Sequence, residues 1–333
     1  MTGQTVLLAL LSVVLTLLLW NLRWVLLIVF GAVVVSVALD VLIAAVQRRT
    51  RLQRPQALVL VLGLLLVSAA VIGQLLIPEL FEQIQQLGRD LPQLIDKIST
   101  LIGSDPRWRG LSTGMTAEWN LERLQPLGAQ LLGFAGGAAN SLIQVFLMAL
   151  LAVLLALDPT AHQGMVLAIT PRPARTAMTQ LFEACRHALG GWLSGMTLSA
   201  TLVFLLTWAG LALLNAPLAL LSALVCGLLT FVPTIGPTAA TLLPAGLALL
   251  QSPELMVSVL VYRLVLQNLE AFLITPLLLR RTVNLLPTVA LTAQLGMGAL
   301  LGLPGVLLAL PLVVVMQVIM QTVVVQQIMD RWN

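Results

Sequence analysis

No charged residue occurs between Arg186 and Glu254. Uncharged stretches of similar character occupy residues 55–78, 124–157 and 282–329. About 20 apolar residues carry a helix across a bilayer, and each stretch is long enough. The apolar positions form unbroken runs of Leu, Val, Ile and Ala instead of alternating with polar ones, which predicts helices and not barrel strands. Composition agrees: 59% of the 333 residues are hydrophobic and 9% charged, against about 25% charged in a soluble domain. The expected fold class is an all-α integral membrane protein, a polytopic helical bundle in contact with lipid.

The same composition excludes several functions. Cys185 stands beside charges and Cys226 in an apolar run, so they offer neither a disulfide framework nor a metal site. His162 and His187 are too far apart to suggest one. There is no HExxH, "GWLSG" lacks the Gly-x-Ser-x-Gly order, and no phosphate-binding loop occurs. No enzyme, no cofactor and no ATP-driven pump is expected. The net charge of +4 is small and the basic residues are scattered or juxtamembrane. They speak to topology and not to nucleic acid.

Residues 1–77 are expected to hold three transmembrane helices, at about 5–20, 24–46 and 56–77. The first lacks a basic leader and reads as a retained helix, not a cleaved signal. The tripeptide "NLR" is expected to form the first turn, flanked by Trp20 and Trp24 as interface anchors. Residues 48–54 contain four arginines; the positive-inside rule places them, and with them both termini, in the cytoplasm. Asp40 is the expected partner of that loop.

Residues 78–136 are expected to form an extracytoplasmic amphipathic helical insert. Up to about residue 129 it holds seven of the thirteen acids. Ile77, Leu80, Ile84, Leu87, Leu91, Leu94, Ile98 and Leu101 follow alternating steps of three and four. That heptad pattern fits a helix lying on its own domain or a seam between subunits. Pro78 suits a helix start, Pro92 a kink or restart, and residues 103–120 a loop. Residues 137–187 give a fourth helix and a cytoplasmic connector.

Residues 188–333 carry the pattern that bears on function. After a fifth helix at about 188–214, residues 217–232 and 237–251 are each too short to span comfortably and are joined by "PTIGP". A helix over 255–275 then leads to Arg280 and Arg281. A second broken stretch covers 286–316. Pro237 and Pro244 are seven apart, as are Pro304 and Pro311, with Gly236 and Gly305 beside them. Irregular backbone at membrane depth is tolerated only where protein or a cavity surrounds it. Two broken hairpins of opposite orientation predict a transporter with a site near the midplane. The tips are expected at Pro233, Gly236 and Pro237, and at Gly302, Pro304 and Gly305.

Glu270 is the leading candidate for chemistry, because an ionisable group inside a span is functional by default. Arg263, Gln267 and Glu270 fall at i, i+4 and i+7, on one helix face. The alternative is a structural pair of Glu270 with Arg263 or Arg281. Thr234 and Thr238, with Thr230 and Thr241, could present hydroxyls at the first tip or simply bond their own helix carbonyls.

Three stretches resemble blocks of the autoinducer-2 exporter-like family of bacterial membrane proteins. "FVPTIGPTAATLLPAGLALL" is similar to its Pro-x-Ile-Gly-Pro signature. "QNLEAFLITPLLLRRTVNLLP" is similar to its Gln-x-x-Glu…Thr-Pro…Arg-Ser-Val…Pro block, and "GALLGLPGVLLALPL" to its closing block. "LGGWLSG" fits the family's Gly-rich entry to the fifth helix. The resemblance runs in order over about residues 189–318. Thr234 stands where Tyr is usual, Phe272 where Asn is frequent, Arg280 and Asn284 where Gly is frequent, and Leu286 where His or Ser is common. The resemblance implies a bacterial inner-membrane exporter of a small polar solute, the signal molecule autoinducer-2 in some members and sodium/proton antiport in others. It also implies a homo-oligomer, here expected to be a pentamer. Alternatives are a monovalent cation/proton antiporter and a non-transporting oligomeric scaffold.

Overall fold

The computed structural model describes residues 3–104, 138–232, 235–274, 277 and 286–322. Among them lie nine α-helices and no strand: α1 (Gly3–Arg49), α2 (Arg54–Ser104), α3 (Ala138–Leu157), α4 (Pro159–Ile169), α5 (Arg175–Leu213), α6 (Ala219–Leu229), α7 (Ile235–Gln251), α8 (Pro253–Leu269) and α9 (Pro287–Ile319). By length and composition five helices can cross a membrane, within Trp20–Arg49, Arg54–Leu94, Arg172–Leu213, Pro253–Ile274 and Pro287–Thr322; α3 and α4 form a sixth candidate, bent by 86°. The all-α membrane architecture is therefore as expected.

The expected turn at "NLR" is absent, and α1 is one continuous helix of 47 residues. None of Asn, Leu and Arg removes a backbone donor, and a single Asn, though it tolerates the left-handed conformation, costs a helix interior only a fraction of a kcal/mol, about 0.7 at most, so the helix continues through the tripeptide. The Arg23 guanidinium lies 4.2 Å over the Trp20 ring, one helical turn back. One candidate span precedes the arginines of residues 48–54 instead of two, which removes the premise that set the amino terminus beside them. Pro78 and Pro92 likewise start no new helix, because α2 runs through both. Each proline deprives one preceding carbonyl of its donor, and those carbonyls belong to Gln74 and the exposed Gly88. From residue 105 the expected loop lies outside the described residues.

The chain divides into two units. Unit one draws on Met1–Val59, Asn140–Gly190 and Thr292–Asn333, and unit two on Leu60–Ala139 and Gly191–Leu291. In unit one Gly31 lets α1 approach α3 and α9: a Cβ there would stand 2.6 Å from Met148 Sδ and 3.3 Å from Leu308 Cδ1. Asp40 sits between two cations, with Arg54 Nη2 at 2.6 Å and Arg186 Nε at 3.3 Å. It is the partner of the basic loop that the sequence suggested.

In unit two the extended end of α2 braces the hairpin of α6 and α7. Leu80 and Leu87 pack on Leu218, Leu221 and Leu247, and Leu94 meets Gly246. Every seventh residue thus lies on the chain's own domain, while Ile77 and Ile84 of the same heptad stay exposed. The polar residues between them cap the hairpin. The residue before α6, Leu218, is left-handed (φ 51°) and has no side chain to cap it. The Leu221 amide donates instead to Gln83 Oε1 at 2.8 Å, and Glu79 Oε1 accepts from Gln83 Nε2 at 2.7 Å. At the far end of α7, Lys97 Nζ donates to the carbonyls of Leu249 and Leu250 at 2.5 and 3.1 Å. Helix ends leave such groups without intrahelical partners. Gln83→Leu should therefore lower stability by about 1–2 kcal/mol, and Lys97→Met by about 1.5–3 kcal/mol, since a charged donor is lost. Thermal unfolding in micelles reads both; unchanged midpoints would mean that α2 merely lies alongside.

Candidate functional site

The buried face of α8 carries Val259, Arg263 and Leu266, and Glu270 follows on the same side. Arg263 is 1% exposed, the largest fully buried side chain in the described structure. An isolated charge in such a place costs several kcal/mol unless polar groups meet it. Here Nη1 donates to Thr207 Oγ1 of α5 at 2.9 Å, and Nε to Thr241 Oγ1 of α7 at 3.4 Å. Three helices therefore converge on one guanidinium. Their approach is fixed next door, where the Tyr262 hydroxyl donates to the Leu206 carbonyl at 2.6 Å. Gly210 leaves room for the Tyr262 ring, which any Cβ there would overlap.

At Glu270 the helix changes type. Glu270–Ile274 is a π-helical segment following directly on α8. Six residues after Glu270 comes Pro276, which has no amide to give to the carbonyl four residues back. Widening the turn is one answer to such a gap, and single π-turns are frequent at functional sites. Glu270 is 7% exposed. Among the described residues it makes no ion pair, and Arg263 is held by hydroxyls alone. The two charges nevertheless act electrostatically on each other and on Cys226. The Glu270–Arg263 ion pair is thus not formed, and the Arg281 alternative lies outside the described residues.

Around these charges runs a polar seam. On α6 and at its C-cap, Ser222, Cys226 and Thr230 are all buried at steps of four. On α5, Ser199 and Thr207 are buried on either side of Val203. Ser199 Oγ and Ser222 Oγ are enclosed with no hydrogen-bond partner among the described residues, which leaves polar capacity inside an apolar unit. The sequence reading named Thr230 as a candidate hydroxyl but missed Ser199, Thr207 and Ser222. Their signal was present as hydroxyls four or eight apart in a stretch without charge. A guanidinium has five N–H donors, and two are used here, so the seam can receive a polar or anionic group.

Of the expected pathway residues, Arg263 and Glu270 share the buried face, and Gln267 is half-buried beside them. Thr238 is exposed, and the hydroxyls that meet Arg263 are those of Thr207 and Thr241. Thr230 and Thr241 do bond their own helix carbonyls, at 3.1 and 3.0 Å, but Thr241 also accepts from Arg263. Pro233 and Thr234 lie outside the described residues. Gly236 is buried, with Pro237 half-buried beside it. Its Cα sits so close to the Leu229 carbonyl, seven residues earlier, that a Cβ would overlap the oxygen.

The second tip belongs to unit one and uses a matching device. Gly302 has φ 64° and ψ −149° in the middle of α9, a region that is essentially glycine's alone. Beyond it, a Cβ on Gly305 would overlap the Met297 carbonyl oxygen. In a straight helix those two residues would be about 12 Å apart, so the chain bends sharply at Gly302. Pro304 is exposed on this bend.

The chain is 27% identical over 276 residues to "Putative transport protein sll0060" of Synechocystis sp., an alignment that covers 80% of this chain and 79% of the relative. It is 22% identical over 152 residues to "Putative transport protein YrrI" of Bacillus subtilis, covering 46% of this chain and 43% of that protein. The sequence model described as "AI-2E family transporter" matches residues 7–325. A match of that extent, on a chain with this all-helical membrane architecture, makes the protein a member of the AI-2E family of transporters.

Proposed function

We propose that this chain is a secondary transporter that exports a small polar solute, of the autoinducer-2 type, from the cytoplasm of a bacterial cell, coupled to H+ or Na+. The observation that carries the reading is the enclosed seam of unit two, where Arg263, Thr207, Thr241 and Glu270 gather in an apolar surround. Arg263 binds the passenger through its unused N–H groups, and Glu270 carries the coupling proton or cation. The hairpin of α6 and α7 shapes the passage: α6, at 11 residues, is about 16 Å long and falls short of the roughly 30 Å apolar core. Its tip, with Gly236 and Pro237, is the moving part. The functional unit is a homo-oligomer, with a pentamer as the working assignment.

Reconstituted vesicles test this directly. Efflux of labelled autoinducer-2 should rise with an imposed pH gradient, and Glu270→Gln should fold normally but carry flux that no longer follows the gradient. Sodium flux without solute flux would favour the antiporter alternative. Flux of neither would favour a scaffold. Proton-coupled flux unchanged in Glu270→Gln would remove Glu270 from the mechanism.

A further inference from the structure

Unit one contains a cavity of about 400 Å³, within the roughly 300–1,000 Å³ of small-molecule sites. Its walls are apolar, including Phe30 and Val37 of α1, Leu155 of α3, Phe182 of α5 and Val315 of α9. One end is charged. Asp40, Arg54, Arg186 and His162 all line it. Asp40 gives one carboxylate oxygen to each arginine, so the group keeps one positive charge in excess. Arg54 is further committed to the Ala156 carbonyl at 2.9 Å. Arg186 is not: its side chain is 55% exposed, and among the described residues only its Nε is engaged.

The setting of this cavity points to its occupant. α4 turns by 86° from α3 and contributes His162 and Val166 to the lining. No residue of α4 is buried, and Met165 and Ile169, four apart, are 71% and 85% exposed. A helix perpendicular to a span, with an outward apolar stripe, lies at the level of lipid headgroups. Arg48 and Arg49 in the last turn of α1 and Arg51 in the connection to Arg54 are all exposed, and such a basic cluster draws anionic lipid. We propose that this cavity is a binding site for an anionic phospholipid of the arginine-rich leaflet, with an acyl chain against the apolar wall and the phosphate on Arg186 and His162.

The test is thermal unfolding and native mass spectrometry of the purified chain in detergent. Dioleoylphosphatidylglycerol, dioleoylphosphatidylcholine, oleate and inorganic phosphate are titrated separately. Phosphatidylglycerol should bind and raise the unfolding midpoint, about tenfold more tightly than phosphatidylcholine. Arg186→Gln should remove that preference, since Arg54 still holds Asp40, and Arg186→Lys should restore part of it. Val166→Trp, on the exposed α4, should weaken both lipids alike by occupying the cavity. Equal binding of the two phospholipids, an unchanged preference in Arg186→Gln, or oleate or phosphate binding as tightly as phosphatidylglycerol would each overturn the proposal.

Discussion

Arg263→Met is expected to cut solute flux about a hundredfold while leaving the folded protein within about 2 kcal/mol of its original stability. The two halves of that expectation have separate causes. Replacing a buried ion by an apolar side chain of similar length removes a desolvation penalty and is often neutral. The hydroxyls left behind are not stranded, because Thr241 already donates to the Pro237 carbonyl at 3.0 Å, and Thr207 can turn to its own helix in the same way. Flux is different. Losing a charge-assisted contact to a passenger costs about 2–5 kcal/mol, and each 1.4 kcal/mol is about tenfold. Arg263→Lys should fall between, since an ammonium keeps the charge but cannot span two hydroxyls on different helices as a planar fork does. Flux per folded molecule and unfolding in micelles must be measured together. A Met variant that loses more than about 3 kcal/mol, with flux per folded molecule intact, would make Arg263 a packing device.

What could be read from the sequence divides along physical lines. The membrane class, the short helices around "PTIGP" and the second break near Gly302 were legible, because each rests on local composition: uncharged length, missing donors, glycine's φ range. Glu270 and Arg263 were legible because a charge in an apolar run is conspicuous. The errors lie where a local signal was weak and longer-range packing decided. "NLR" looked like a turn only because two apolar runs flank it. Pro78 and Pro92 looked like boundaries, yet α2 continues because Leu80, Leu87 and Leu94 seat it along unit two and Gln83 and Lys97 cap a hairpin far away in sequence. The partners of Arg263 were illegible for the same reason. Thr207 is 56 residues away, and no periodicity on α8 can name a hydroxyl on α5. The π-turn at Glu270 had only the downstream Pro276 as a cue, and one proline does not name a helix type.

The glycines of the second break should separate two kinds of cost. At Gly302 a Cβ would meet nothing within 4 Å, so Gly302→Ala is penalised by backbone conformation alone, by about 1–3 kcal/mol. Asn, which often rescues left-handed positions, should not help, because ψ is −149° and the left-handed helical well lies near +47°. Gly305→Ala is penalised by sterics alone: its Cβ overlaps the Met297 carbonyl oxygen, and backbone cannot rotate away as a side chain can. Its cost should exceed about 3 kcal/mol, the upper end for overpacking. Two other glycines of α9 serve as controls. Gly298→Ala meets only the Val306 methyl at 2.8 Å, the end of a side chain, and should cost far less. Gly296→Ala meets nothing and should gain about 0.5–1 kcal/mol from helix propensity. If the sharp bend is needed for passage, flux should follow the same order: lost in Gly305→Ala, reduced in Gly302→Ala, and near normal in the other two. Unfolding midpoints that fail to rank in this order would mean that α9 is not bent as described, and flux that ignores the ranking would detach the bend from transport.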